Sequence, residues 1–429
     1  MLSRDDARLA RRDPGLPGLA TLLDADAFAA ELGRLAPEAE VRGAIPAYVR
    51  YKPGTNALLA YDVLTAWGVV PVYAKTFRPD AGPQISRPRG RPGRPGPLGL
   101  GVTSLAGCCA VVREFPNDPR LPALAVLDRV TVRPGRGDIV EAAPGTPPGR
   151  LVPLRYKPER RWVGRHDGTW DATPLVLKAY APSRFGSAVA GATAFREGEV
   201  LRPAVPVARS EPLGLLAFRW VEGALLSDRL EAPDLSLSLV ERAGQALAEL
   251  HAQPARALPR LSRSREAAEL GALAESVAGL APRVAGCVRR LAGRLAERLL
   301  ALPEEAVAIH GDFYAKQLVL ADGAVAVLDL DRSALGDPAR DAGLFLAHLE
   351  RDRLRGRLGA AQAARIGRAF LAGYRRAAGA LPGHLDLYTA IGLLHLAPDP
   401  FRHREPDWAE RIEALVARAA ARPADGVPV

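Results

Sequence analysis

His310-Gly311-Asp312-Phe313-Tyr314-Ala315-Lys316-Gln317, then Val327-Leu328-Asp329-Leu330-Asp331, then Gly336-Asp337-Pro338-Ala339-Arg340-Asp341, is the stretch on which the fold turns. The apolar run 306–309 predicts a short strand ending just before His310. The runs 318–320 and 324–328 predict two more, joined by the hairpin signal Asp322-Gly323. Asp312 therefore sits on a loop after a strand, with the Gln317 amide five residues later and Asp329 closing the next apolar strand. That pattern gathers two carboxylates and an amide carbonyl at one end of a small sheet. Oxygen donors of this kind suit Mg2+, which is held by one or two protein oxygens together with substrate phosphates. The second carboxylate is then available to orient an attacking hydroxyl and accept its proton.

Outward from this stretch, the chain changes character at about residue 234. Residues 235–251 and 266–302 carry apolar residues at helical spacing, and the chain reads helical again from Asp341 to near Ala421. The first half is instead β-rich, with short runs bounded by Lys-Pro-Gly or Asp-Gly turns. Of 58 basic residues only five are lysine, and four of these fall in two similar units. One reads Val49-Arg-Tyr-Lys52-Pro-Gly and later Val72-Tyr-Ala-Lys75; the other reads Leu154-Arg-Tyr-Lys157-Pro-Glu and later Leu175-Val-Leu-Lys178. Each predicts consecutive strands joined by tight turns, a weak internal repeat of a β-module. A helix is expected to begin at Pro182, with strands near 205–207 and 214–220. The expected organisation is a β-rich module over 1–140 containing a Pro/Gly/Arg-rich loop, a second lobe over 141–222, and a helical lobe over 223–429. Fold class is α+β.

Composition sets boundaries on function. The net charge of +10 rests on arginines scattered among Ala and Leu. There is no aromatic-interleaved basic stretch, so nucleic acid is not an expected partner. The one dense run, Arg87-Pro-Arg-Gly-Arg-Pro-Gly-Arg94, reads as loop. No apolar stretch approaches the length of a membrane span, and the polar N-terminus lacks a signal-peptide core, so a cytoplasmic protein without a membrane partner is expected. Three cysteines, two of them adjacent, fit free thiols and no metal spacing. No Walker A sequence is present.

The segment from His310 to Asp341 resembles the catalytic core of the aminoglycoside phosphotransferase and choline kinase family, small-molecule relatives of protein kinases, with some similarity to maltokinases. Its typical pattern is His-Gly-Asp, four residues, Asn, then an apolar-Asp-apolar strand end and Gly-Asp-Pro with a later Asp. The resemblance covers about residues 150–425 and implies a two-lobed protein-kinase-like fold, with the N-terminal β-rich module as an addition. It implies an ATP- and Mg2+-dependent transfer of phosphate to the hydroxyl of a small molecule, with a sugar or an aminoglycoside among the acceptors that would fit. Asp312 would be the catalytic Asp, and Asp329 the metal Asp that bridges Mg2+ to the nucleotide phosphates. Gln317 stands where the family usually has Asn, with the same amide oxygen on a longer arm, and is carried as a metal ligand. Asp331 is either a further ligand or a solvated turn residue, while His310, Asp337 and Asp341 would hold the loop.

Lys178 resembles the third-strand Lys that contacts the nucleotide phosphates, and the turn from Lys157 to Arg161 would cover them. Arg219 and Val221 would offer backbone groups to adenine, although a buried strand entering a turn predicts the same residues. A Glu partner for Lys178 is expected on the following helix, yet residues 184–195 contain none. His395, Arg402 and His403 are candidate substrate contacts for which helix-to-loop packing is the favoured reading, and Lys316 either touches a substrate phosphate or faces water. Asp386, Asp399, Glu405 and Asp407 could line an acidic pocket for a cationic acceptor. The alternative function is a nucleotide-binding pseudokinase with a regulatory or scaffolding role, which Gln317 and the missing Glu favour.

Overall fold

A helical N-terminus precedes the first strand, which the reading of residues 1–140 as a β-rich module did not anticipate. The computed structural model describes residues 2–81, 93–142, 150–167, 173–232, 234–254 and 257–422. Most of the Arg87–Arg94 run, and Gly168-Thr169 of the turn beyond His166, lie outside the described residues. Helix α1 (Arg4–Arg12) is capped by Ser3, whose hydroxyl accepts from the Asp6 N–H at 3.1 Å, with Asp5 and Asp6 in the first turn and Arg11 and Arg12 in the last. Both charge placements complement the helix dipole. After α2 (Leu19–Leu23), Asp24 caps α3 (Ala25–Leu35) by accepting from the N–H groups of Asp26 and Ala27. These local signals were present in the sequence, but helices of five to eleven residues span too few turns for a period to stand out.

The chain divides into two units. The first takes Met1–Ser183, Ala208–Ala217 and Asp399–Glu410. It holds a five-stranded sheet built from β1 (Gly43–Lys52), β2 (Asn56–Thr65), β3 (Gly68–Phe77), β4 (Val102–Leu105) and β5 (Ala110–Glu114) in the order β1-β2-β3-β5-β4. A second sheet continues with β6 (Val130–Arg133), β7 (Asp138–Glu141), β8 (Arg150–Lys157), β9 (Arg161–Asp167) and β10 (Leu175–Tyr180). The two lysine-bearing repeats are the hairpins β1–β2–β3 and β8–β9–β10. Lys52 and Lys157 end the first strand of each and Lys75 and Lys178 lie in the third, and both first strands carry a register shift just after a proline, Pro46 and Pro153. The proline cannot donate to the ladder, which localises the irregularity there. Tyr48, Leu58, Ala60 and Tyr73 of the first sheet form a small core against Tyr156 of the second.

A short segment from far along the chain completes this unit. Asp6, almost fully buried, accepts a two-pronged ion pair from Arg404 (2.8 and 2.6 Å) and a hydrogen bond from the Trp408 indole (3.2 Å). Phe401 packs edge-on against Tyr51 and Trp408.

The second unit takes Arg184–Val207, Phe218–Pro398 and Arg411–Val429. After α4 (Pro182–Ala192) comes β11 (Leu201–Pro203); β12 (Pro206–Ser210) and β13 (Leu215–Arg219) join the second sheet, whose order is β6-β7-β12-β13-β10-β9-β8. β14 (Ala224–Leu225) leads into α5 (Leu226–Leu230), α6 (Leu237–His251), α7 (Arg263–Leu280) and α8 (Ala285–Ala301). β15 (Val307–Ile309) precedes the hairpin of β16 (Leu318–Ala321) and β17 (Ala324–Val327), and β18 (Ala334–Gly336) pairs with β15. Asp322 and Gly323 both have positive φ at the hairpin turn, as the Asp-Gly signal requires. Helices α9 (Ala339–Leu354), α10 (Ala360–Ala378) and α11 (Leu385–Leu396) follow; α12 (Asp399–Arg402) and α13 (Trp408–Ala420) end the described chain. Helices α6 and α10 cross at Gly244 and Gly373, where an added Cβ would stand 2.0 Å from the Phe370 carbonyl and 1.9 Å from the Glu241 carbonyl. The glycines allow main chains to touch, and the seam buries Val240, Leu247, Ile366 and Phe370.

Candidate active site

Strand β15 delivers the chain into the loop 310–317, and β17 delivers it into Asp329, so both carboxylates stand just beyond strand ends. One side chain ties the two places together. The His310 Nε2–H donates to the Leu328 carbonyl at 2.8 Å, which leaves Nδ1 to accept the Asp312 N–H at 3.2 Å. These partners fix the neutral tautomer, since one nitrogen must donate and the other accept. His310 therefore couples the backbone of Asp312 to the residue before Asp329. The Leu328 N–H in turn donates to the Gln317 carbonyl at 2.8 Å.

The loop is held from below by Asp341. Its two buried oxygens accept from the N–H groups of His310 (2.6 Å) and Gly311 (2.8 Å), and from His251 Nε2 at 3.1 Å. His251 is oriented through Nδ1 by Tyr374 at 3.0 Å. Burial opposes the charge on Asp341, but the His251 hydrogen bond, the nearby imidazoles and the backbone donors outweigh it and hold its carboxyl below the usual range. Gly311 has φ +77° and an added Cβ would lie 2.3 Å from the Arg332 carbonyl, so this position admits only glycine. Next to Asp312, Phe313 is fully buried, its ring tilted against the stacked pair Phe345 and Phe370.

At the site itself, the Gln317 carboxamide lies 3.3 Å from Asp329, with Nε2 donating to Oδ2. Asp329 is in the left-handed region at φ 61° and ψ 48°, a strained conformation for a non-glycine residue and one that clusters where side chains are aimed for function. Asp312 is about one-third exposed and faces Arg332 at 3.6 Å, a loose contact with a largely exposed guanidinium. The donor set fits Mg2+: a carboxylate and a carboxamide oxygen are adjacent, and turning the amide over brings Oε1 to the place Nε2 now takes. Among the described residues no group of three or more His, Cys, Asp or Glu side chains is poised to hold a metal by itself.

Asp337 accepts the Ala339 N–H at 2.8 Å, capping α9, and pairs with Arg263 at 2.7 Å within a buried network of Glu266, Arg340 and Tyr388. Its contacts hold the start of α9 to Arg263 and, among the described residues, do not extend to the loop 310–317.

In the first unit, Lys157 and Lys178 flank β9, paired in register with Arg161 and Val163. The turn between β8 and β9 is pinned rather than open. Glu159 at its tip accepts from Lys75 Nζ at 2.9 and 3.0 Å and from Arg50, and its N–H donates to Asp118. Tyr156 donates to the same Asp118 at 2.9 Å. Burial pulls the Lys75 ammonium down, with Glu159 only partly offsetting it; burial pushes Glu159 up, but Lys75 and Arg50 outweigh it and hold it low. The retained lysine at 75 was visible in the sequence; its partner 84 residues away was not. Arg219 ends β13, exposed, and Val221 follows it half-buried. Helix α4 carries no Glu, in keeping with its sequence. Of the four carboxylates considered for a cationic acceptor, Asp386 is engaged by Arg422 at 3.0 Å and Asp399 by Arg402 at 3.2 Å.

The profile of the phosphotransferase enzyme family (APH) matches residues 161–380, just over half of the chain. The chain belongs to that family. Its fold is the protein-kinase-like α+β fold of these phosphotransferases, with a further β-rich sheet at the N-terminus. Among solved structures it is similar to a thermostable mutant of aminoglycoside phosphotransferase APH(4)-Ia in a complex with ADP and hygromycin B. That match has 18% identity and a TM-score of 0.47, covering 64% of this chain and 95% of the other. It is also similar to macrolide 2'-phosphotransferase MphH from Brachybacterium faecium (19% identity, 64% and 92% covered, TM-score 0.41). A choline/ethanolamine kinase family protein from Mesorhizobium loti is comparable (20% identity, 64% and 87% covered, TM-score 0.43). No curated protein matches in sequence. Among the described residues no helix is long and apolar enough to cross a membrane.

Proposed function

We propose that this phosphotransferase moves the γ-phosphoryl group of ATP onto the hydroxyl of a small molecule, with Mg2+ as cofactor. The observation that carries the reading is the coupling of Asp312 to the Asp329 strand end through His310, with Gln317 beside Asp329. Asp312 orients the acceptor and takes its proton as the hydroxyl oxygen bonds to the γ-phosphorus. The bond from that phosphorus to the bridging oxygen breaks, and ADP leaves with the electron pair. Mg2+, when bound to Asp329 and Gln317, neutralises charge on the phosphates. Lys178 and Lys157 are assigned to the phosphates, and the backbone at Arg219 and Val221 to the adenine.

The test is phosphorus NMR of ATP with Mg2+ and a panel of hydroxyl compounds, with two variants. Asp312→Ala should lower kcat by about 10²–10⁴ with ATP affinity intact, the range for a positioned general base. Asp329→Ala should remove Mg2+-dependent ATP binding. A rate within about tenfold of wild type in Asp312→Ala would contradict the assigned role. The second reading, a nucleotide-binding protein without turnover, is favoured by the absence of Glu from α4. It predicts ATP–Mg2+ binding that Asp329→Ala removes, with no transfer to any acceptor.

A further inference from the structure

Within the second unit, a cavity of about 340 Å³ opens between α5, the loop 314–316 and the C-terminal half of α9. Its wall includes Tyr314 and Lys316, two and four residues beyond Asp312. We propose that this cavity receives the phosphoryl acceptor and that the acceptor is an uncharged polyhydroxylated molecule of sugar size, rather than a polycation or a polyanion. This rests on the phosphotransferase reading above and names the substrate class for it.

The first argument is charge. The lining carries three cations, Lys316, Arg351 and Arg357, against three anions, Asp228, Glu231 and Asp352. The deeper groups are committed to one another: Arg351 donates through Nε and Nη2 to one oxygen of Asp352 at 3.1 and 2.9 Å, and Arg355 stands 3.9 Å from the same oxygen. At the rim Arg357 lies 3.9 Å from Glu231, both about half exposed. A polycation needs uncommitted carboxylates and a polyanion uncommitted guanidinium groups, since desolvating a charge without a partner costs several kcal/mol. Asp228, exposed at the mouth, has the Ser227 hydroxyl at 3.0 Å and, among the described residues, no cation beside it, so the wall offers one open carboxylate and no cluster of either sign. It offers both donors and acceptors, which match the vicinal hydroxyls of a polyol.

The second argument is the ring pair. His348 stacks on Tyr314 with centroids 4.1 Å apart and planes 9° apart. Burial, then the charges of Arg351, Arg355 and Lys316, push its proton affinity well down, so the imidazole is neutral. A neutral ring donates one hydrogen bond and accepts one, and its buried Nδ1 has no partner among the described residues. The pair thus gives the cavity a flat apolar surface with a polar edge, which suits the C–H face and the hydroxyls of a sugar. At the low end of ligand-pocket volumes, the space fits one or two sugar rings. Transfer is balanced as above: the acceptor oxygen gains the phosphorus, ADP leaves, and the proton passes to Asp312.

The experiment compares neutral sugars and polyols, aminoglycosides, and sugar acids as acceptors with ATP and Mg2+, alongside ATP–Mg2+ binding by calorimetry. Saturable transfer to a neutral polyol is expected, with little or none to the charged sets. His348→Phe should raise the acceptor KM about tenfold, the loss of one hydrogen bond to a ligand, with ATP binding unchanged as proof of folding. Arg357→Glu, at the half-exposed rim, should make the wall net negative and allow aminoglycosides to bind. Transfer to aminoglycosides or sugar acids with neutral polyols inert overturns the proposal and leaves the phosphotransferase reading standing. So does ATP–Mg2+ binding with no neutral polyol accepted, or a KM in His348→Phe equal to wild type. Absence of ATP–Mg2+ binding overturns the underlying reading itself.

Discussion

Replacing Asp341 by Asn tests how the catalytic loop is held, because it removes a charge without changing shape. The carboxylate now accepts three hydrogen bonds, from the His310 and Gly311 N–H groups and from His251. An amide keeps one accepting oxygen and turns an NH2 toward at least one of those donors. Hydrogen bonds to a charged group are worth about 1.5–3 kcal/mol each, and breaking a fully buried charged arrangement costs about 3–5 kcal/mol. The expected loss of unfolding free energy is therefore about 3–5 kcal/mol, a large share of the 5–15 kcal/mol typical of a domain. A displacement of Asp312 should lower kcat about a hundredfold, with less effect on ATP binding. Guanidinium unfolding followed by circular dichroism reads the first quantity and steady-state kinetics the second. The pH dependence has a defined sign. Asp341 is held below its ordinary value in the folded chain, so its stabilisation is present above the unfolded value of about 4 and lost as pH falls through the folded one. The gap between wild type and variant should be full at neutral pH and close below about pH 4. A loss under about 1 kcal/mol, or a gap that persists in acid, would refute the reasoning.

Glu159→Gln leaves Lys75 and Arg50 facing a neutral amide, and should destabilise the first unit by about 1–3 kcal/mol. It should also raise the ATP KM by freeing the β8–β9 turn; an ATP KM unchanged from wild type would separate that turn from the nucleotide. Gly311→Ala forces a Cβ against the Arg332 carbonyl in a left-handed backbone, and should cost about 1–3 kcal/mol and most of the activity. Denaturant midpoints and an activity assay check it, and near-wild-type values would contradict the tight approach described at that glycine.

Much of the second unit was legible in the sequence because its signals are local. The strands ending at residues 309 and 327, the Asp322-Gly323 turn and the helices after Asp341 follow from short runs whose neighbours in sequence are also neighbours in space. The likeness between the lysine-bearing hairpins was readable for the same reason. Three kinds of feature were not. The helices before Gly43 are short and lean on caps more than on periodicity. The Lys75–Glu159 contact joins two sheets across 84 residues, a separation that no pattern of spacing encodes. The His348 cavity depends on which faces of α5 and α9 meet the loop 314–316, and on arginines committing to nearby carboxylates. For the Lys75–Glu159 contact the one trace was a lysine retained where arginine is the rule, and it pointed to position 75 without naming its partner.

The ion pair between Asp6 and Arg404 spans 398 residues of chain. On a ribosome adding about 5–20 residues per second, Asp6 emerges roughly 20–80 s before its guanidinium exists. For that interval α1 carries a carboxylate destined for the interior, and the indole of Trp408 is also still to come. The first unit to be synthesised is thus among the last able to close, so nascent chains shortened anywhere before residue 404 should retain an open, protease-sensitive N-terminus.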